Sequence, residues 1–291
     1  MSETAISRAA SLSCFSAPEG ITPLGGGITN VNLLVRDGDR RFVVRLGDDI
    51  PEHGIMRWNE LALSRAAEKA GFSPAVFHHE PGVLVLDFIE AKTFDEADVR
   101  EPENLTRIID LIARVHNGLG MHLTGPVLTF WPFQVNRTYT ARLKSDGSLY
   151  AGLLPGLMDE AAVLEKAVGP VELVVGHNDL LAANVLDDGE DLWLIDWEYG
   201  GFNSPLFDLA GLASNNGLTE PQERAMLEQY FGTNSDERWC AYKAMKCASL
   251  MREALWSMTS EIHSELDFDY AAYTKENMER LNAALSDFRE L

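Results

Sequence analysis

The chain has 291 residues, 46% hydrophobic and 24% charged, the profile of a globular protein with one large domain or two modest ones. Its 24 Lys and Arg against 45 Asp and Glu give a net charge of −21, which disfavours nucleic acid as a partner and would draw in a small cation. Cys14, Cys240 and Cys247 form no CxxC pair, no histidines cluster at metal-ligand spacing, and no run approaches the roughly 18 apolar residues of a membrane span. The opening MSETAISRAASLSCFSAPEG lacks the apolar core of a signal peptide, so a cytoplasmic protein without membrane insertion is expected.

In chain order, Val31, Leu33 and Val35, then Phe42, Val44 and Leu46, alternate on either side of the turn signal Asp37-Gly38-Asp39 and predict a hairpin. ELALSRAAEKAG reads as a helix stopped by Gly71, and the run from Val83 to Ile89 as a buried strand. The first ninety residues therefore predict a small sheet with one inserted helix. Leu105, Ile108, Ile109, Ile112 and Val115 recur at helical spacing, predicting a helix over 103–118. A looser stretch holding Trp131-Pro132 and Asp146-Gly147 follows, and VELVV at 171–175 reads as a buried strand. From Ser204 onward the composition is helical, with Pro205 and Pro221 placed to begin helices. Sheet-rich front and helical back meet near residue 92.

The most informative stretch is GHNDLLAANVLDDGEDLWLIDWEYGG. A hairpin turning at Asp188-Gly189 would bring its open ends together, so Asn184 before the first strand and Asp196 after the second should be neighbours. An amide oxygen and a carboxylate suit magnesium, which takes few protein ligands and completes its shell with water and phosphate. Asp179 remains to accept a hydroxyl proton or hold the nucleophile in line, and His177 reads as an orienting, hydrogen-bonded histidine. The order of protein-kinase loops is present, with HND in place of HRD and IDW in place of DFG, but without an APE-type activation segment.

HNDLLAANVL followed by LIDWEYGGFNSPLFDLA resembles the choline/ethanolamine kinase family, within the aminoglycoside-phosphotransferase-like group of small-molecule kinases. The resemblance implies an α+β, two-lobed protein-kinase-like fold, with a small antiparallel-sheet N-lobe and a larger, mostly helical C-lobe. The lobes are expected at 1–91, nucleotide-binding, and 92–291, catalytic and acceptor-binding. ATP and Mg2+ are the implied cofactors, with Asp179 as catalytic base and Asn184 and Asp196 as metal ligands. Glu198 would assist the metal or line the acceptor site, on the same side of an extended strand as Asp196, and Asp208 would pin the catalytic loop.

In GGGITNVN, Gly26, Gly27, Thr29 and Asn30 are candidates to approach phosphate oxygens, although glycine triplets also make plain turns and this is neither a Walker A sequence nor GxGxxG. Arg45 should face away from Phe42, Val44 and Leu46; the resemblance puts it on the nucleotide phosphates, with Glu60 as its partner. Asp87 to Ile89 would join the lobes and offer backbone groups to adenine.

The acceptor is expected to be a small cationic alcohol. In the helix over 236–262, Glu253 and Trp256 share a face and could meet a cation side by side, with Tyr270 and Tyr273 completing an aromatic cage, and Tyr199 is a further substrate-binding candidate. Two departures from the family pattern stand out: Glu253 replaces a second tryptophan, and Asn215 replaces an acidic residue, whose charge Glu253 would supply. Choline is the first expectation. Ethanolamine, an aminoglycoside, thiamine or a sugar alcohol, and an inactive ligand-binding relative remain alternatives, and oligomeric state is open, a dimer included.

Overall fold

The computed structural model describes residues 3–25, 30–233, 235–264, 266 and 268–291. Helix α1 (Glu3–Ala10) precedes strands β1 (Pro18–Leu24), β2 (Val31–Asp37) and β3 (Arg40–Leu46), helix α2 (Arg57–Ala70) and strands β4 (Val76–Glu80) and β5 (Val83–Asp87). These strands form one antiparallel sheet in the order β1-β2-β3-β5-β4. The predicted alternation on β3 is observed. Phe42, Val44 and Leu46 join Leu33, Val35 and Val85 beneath Ala5, Ala9 and Leu12, a separate small core under α1. Arg45 points to the other face, toward α2, and is buried. Helix α2 ends as its composition requires, at Gly71 with φ 76°.

Next come β6 (Lys92–Thr93), α3 (Glu96–Arg100), α4 (Pro102–Gly118), α5 (Pro132–Ser145) and α6 (Leu154–Val168). They are followed by β7 (Val174–Gly176), β8 (Val185–Asp187), β9 (Leu192–Leu194) and β10 (Gly201–Asn203). The chain finishes with α7 (Pro205–Asn216), α8 (Glu220–Phe231), α9 (Asp236–His263) and α10 (Tyr270–Arg289). Helix α9 is the axis of this part, packed by α5, α6, α7 and α10. Strand β6 pairs with β8, and β8 with β9, while β7 pairs with β10. No helix among the described residues is long and apolar enough to cross a membrane.

The structure corrects three sequence expectations. The first ninety residues hold two helices, because α1 supplies the apolar lid the sheet would otherwise lack. The looser stretch is helical as α5 and α6: Pro132 and Pro155 lie in first turns, where a missing N–H costs nothing, and Asp146-Gly147 ends α5. Only the end of VELVV is strand, since Glu172 and Leu173 are exposed.

Candidate active site

Asp208, in the first turn of α7, organises the loop after β7. Its carboxylate accepts from the backbone amides of His177 (2.8 Å) and Asn178 (2.6 Å) and from His116 Nε2 (2.9 Å). Burial pushes its pKa up, but these partners outweigh burial and hold the carboxyl below its ordinary range. Gly176 is required beside it, because a Cβ there would lie 2.9 Å from Asp208 Oδ2. Asn178 occupies the left-handed region at φ 66°, uncommon for a residue with a side chain. Its side chain donates to the carbonyls of Tyr199 (3.0 Å) and Gly201 (3.3 Å) and accepts from Asn203 (3.0 Å). The loop is thereby fastened to the segment that follows β9.

His177 is buried, and its Nε2 meets the Ile195 carbonyl at 2.8 Å, the orienting role expected of it. Burial lowers its pKa, so the imidazole is neutral with its proton on Nε2. Asn184 Nδ2 donates to the Asp179 carbonyl at 2.9 Å, and the Ile195 amide donates to the Asn184 carbonyl at 3.0 Å. With β8 and β9 in register from Val185↔Leu194, Asn184 is brought opposite Ile195 and next to Asp196. Asp196 itself sits at φ 69°, a second left-handed residue at the same place. Among the described residues, no group of three or more His, Cys, Asp and Glu could hold a metal ion. An asparagine oxygen and one carboxylate nevertheless suit magnesium, a hard cation satisfied by few protein ligands.

Asp179 follows the strained Asn178. Burial pushes its pKa up to about 8, Arg252 pulls it down, and Glu253, Asp196 and Glu198 raise it further. A carboxyl poised in this way, in a loop beside two oxygen donors, is equipped to take a proton from a hydroxyl.

Residues 20–242 match the phosphotransferase enzyme family. The chain belongs to that family. The phosphotransferase is 26% identical to Protein LicA of Haemophilus influenzae over 91% of this chain and 79% of that protein. It is 25% identical to a probable choline kinase 2 of Arabidopsis thaliana over 89% of this chain and 84% of that one. Among solved structures, a choline/ethanolamine kinase family protein from Mesorhizobium loti superposes with a TM-score of 0.79 at 28% identity, covering 97% of this chain and 94% of the other. The fold is thus the α+β, kinase-like one that the sequence motifs imply.

On the sheet side of the phosphotransferase, Arg45 Nη2 lies 2.8 Å from Asp196 Oδ1, 3.3 Å from Glu60 Oε1 and 3.5 Å from Glu198 Oε2. The expected Arg45–Glu60 pair is present. Its neighbour Arg57, which the sequence reading missed, bonds Glu60 (2.7 Å) and Glu198 (3.2 Å). Asn30 Nδ2 also donates to Glu198 at 3.0 Å. The reason given for pairing Glu198 with Asp196 fails, since the left-handed turn at Asp196 breaks the extended strand. Both carboxylates converge on Arg45 instead, and Glu198 is committed to basic and amide groups of the N-terminal part rather than standing open toward an acceptor. Gly26, Gly27 and Thr29 lie outside the described residues. The amides of Asp87 and Phe88 donate to Ala75 (2.9 Å) and Arg41 (3.0 Å), and the Asp87 carboxylate pairs with Arg40 at 2.7 Å. These donors are therefore engaged within the N-terminal part; Ile89 follows the end of β5, half-buried.

On the other side, Trp256 Nε1 donates to the Tyr199 hydroxyl at 3.0 Å, and the Trp256 ring meets those of Tyr270 and Tyr273 at 6.0 and 6.4 Å. The expected aromatic group is assembled. Glu253 does not stand in it as an uncompensated charge: Tyr273 donates to its Oε1 (2.8 Å) and Arg252 to its Oε2 (2.6 Å). Asn215, half-buried near the end of α7, is not among its bonded partners. Arg252 escaped the sequence reading. Its signal is a charge in LMREALW, where Met251, Ala254 and Leu255 are buried around it, since a charge in a helix turn with no exposed side needs a partner.

Proposed function

We propose that this phosphotransferase moves the γ-phosphoryl group of ATP to the hydroxyl of a small amino alcohol of the choline and ethanolamine type, giving the phosphomonoester and ADP. Residues 1–91 would bind the nucleotide, and 92–291 would carry the catalytic loop and the acceptor pocket. The observation that carries the reading is the fastening of one loop by Asp208 and Asn203, with Asp179, Asn184 and Asp196 displayed from it and from the adjoining hairpin. Both relatives named for these substrates, in Arabidopsis and Mesorhizobium, support the amino-alcohol class.

In this mechanism Asp179 aligns the acceptor hydroxyl and takes its proton as the oxygen bonds to phosphorus and the bond to the ADP oxygen breaks. Asn184 and Asp196 would hold magnesium, which when bound offsets the charge of the phosphate oxygens. Arg45, tied to Asp196 in the ligand-free chain, would steady the nucleotide tail, with Glu60 keeping it in place. Catalysis would be mostly positioning and electrostatics. ADP release measured with ATP, magnesium and each of ethanolamine, choline, thiamine and an aminoglycoside tests the reading. Acceptor-dependent release with an amino alcohol is expected. Asp179→Ala should lower it by about 10² to 10⁴-fold while leaving ATP binding intact, and turnover retained in that variant would refute the role.

A further inference from the structure

Asp208 fastens the loop that displays Asp179, and the structure shows what keeps Asp208 able to do so. Its side chain is 2% exposed, and its ion-pair partner among the described residues is His116, with no lysine or arginine beside it. Burial works to protonate this carboxyl, and the strongest opposing influence is the bond from His116 Nε2 at 2.9 Å. The charge matters for geometry as well as for energy. An ionised carboxylate accepts at both oxygens, as this one does from the amides of His177 and Asn178, whereas a protonated carboxyl would turn a donor toward one of them. Asn178 is held in the left-handed region, so a loop that lost either bond would relax toward ordinary backbone and carry Asp179 with it.

His116, in the last turn of α4, has a second nitrogen, and the partner of one imidazole nitrogen decides whether the other carries the proton. Its Nδ1 lies 2.7 Å from the hydroxyl of Tyr230, on α8, and the two rings meet edge to face at 5.6 Å. Among the described residues this is the only hydrogen bond that hydroxyl makes. Donation from Tyr230 to Nδ1 leaves the imidazole proton on Nε2, where it faces Asp208. The opposite tautomer would set an Nε2 lone pair against the carboxylate, a repulsive contact between two acceptors in a water-free place. A single line of bonds therefore runs from α8 through α4 to the first turn of α7 and into the loop after β7.

We propose that His116 and Tyr230 are positioning residues for phosphoryl transfer. Tyr230 fixes the His116 tautomer that donates to Asp208, and Asp208, held in this way, keeps the loop from His177 to Asp179 in its working shape. Both act only through Asp208, at two and three bonds' remove from the loop. This inference rests on the kinase reading for its effect on turnover, but the state of the loop can be measured without turnover.

Hydrogen–deuterium exchange of the full chain without ligands, followed in the segment 174–181 and, as a reference, in α9, reads the loop directly. Tyr230→Phe, which removes one hydroxyl, should speed exchange in the loop by about 3- to 10-fold and leave α9 and the thermal melt near wild type. His116→Gln keeps an amide nitrogen that can donate to Asp208 but has no Nδ1, so it should resemble Tyr230→Phe. Adding Tyr230→Phe to it should then cost little more, because the shared link is already gone. In ADP release with an amino alcohol, both single variants should lower kcat with the KM values for ATP and acceptor unchanged. His116→Leu, without any donor, should lower kcat by about 10²-fold. Loop exchange that stays at the wild-type rate, or that rises equally throughout the chain, overturns the inference. So does a loosened loop with kcat unchanged, or a Tyr230→Phe effect as large in the His116→Gln background as in the wild type. A wild-type chain that responds in the loop as described yet phosphorylates no amino alcohol would refute the acceptor reading and leave the fastening of the loop standing.

Discussion

Asp179 illustrates how far a single residue's chemistry is set by neighbours distant in sequence. Burial and the carboxylates of Glu253, Asp196 and Glu198 push its pKa up to about 8, against the pull of Arg252. In the unfolded chain an aspartate titrates near 3.9. Because the folded pKa is the higher, the native state gains stability from this proton at low pH and loses it as pH rises through the interval to about 8. Asp179→Asn, which mimics the protonated form, should therefore melt at nearly the wild-type temperature near pH 4. The variant should become progressively the more stable until the difference levels off above about pH 8. Thermal melts across that range, without metal or nucleotide, check this, and parallel curves would show that Asp179 carries no such strain. The residue was legible as a candidate base from its place in HND, whereas the groups that tune it were not. Arg252 lies more than seventy positions away, and Arg57 looks like an ordinary first-turn helix residue until the fold brings it to Glu198.

Among the elements, the best anticipated are those whose sequence carries their own start and stop. The β2–β3 hairpin, α2 with Gly71, α4 and the β8–β9 hairpin show clear periodicity or turn chemistry. Helix α5 was hidden because its buried positions include Asn136 and Thr140 beside Phe133, Tyr139 and Leu143, which blurs the apolar period. The loop between β3 and α2 was equally silent, yet it carries His53, placed between Tyr139 of α5 (3.3 Å) and Ser260 of α9 (3.2 Å). Burial, then Arg252, His263 and Arg142, lower its pKa to about 3. With the folded pKa below the ordinary value near 6.5, its contribution is intact above that value and is lost as pH falls toward 3. His53→Gln should flatten the decline of melting temperature between about pH 6.5 and 4. An unchanged slope would mean that this contact does not hold the loop in acid.

At the scale of the whole molecule, two cores and one ion cluster explain how the parts meet. The sheet has its own small core under α1, but Leu63, Ala66 and Ala67 of α2 belong to the large core shared with α4, α7 and α9. Helix α2 thus carries Glu60 and Arg57 to the seam where Arg45 reaches Asp196 and Glu198. A sequence motif could name Asp196 as a metal ligand and Arg45 as a phosphate contact, but only the fold shows the two bonded to each other before any ligand arrives. The central claim is that this seam, with Asn184, receives magnesium and the nucleotide together. Calorimetric titration of ATP into the wild type and Asp196→Asn, each with and without magnesium, tests it most directly. Magnesium should tighten binding to the wild type by about 10-fold or more, and the variant should lose that gain while binding ATP alone at least as well, since Arg45 then faces one carboxylate fewer, keeping Glu60 and Glu198. A magnesium effect that survives the substitution in full, or ATP binding that never responds to magnesium, would contradict the account.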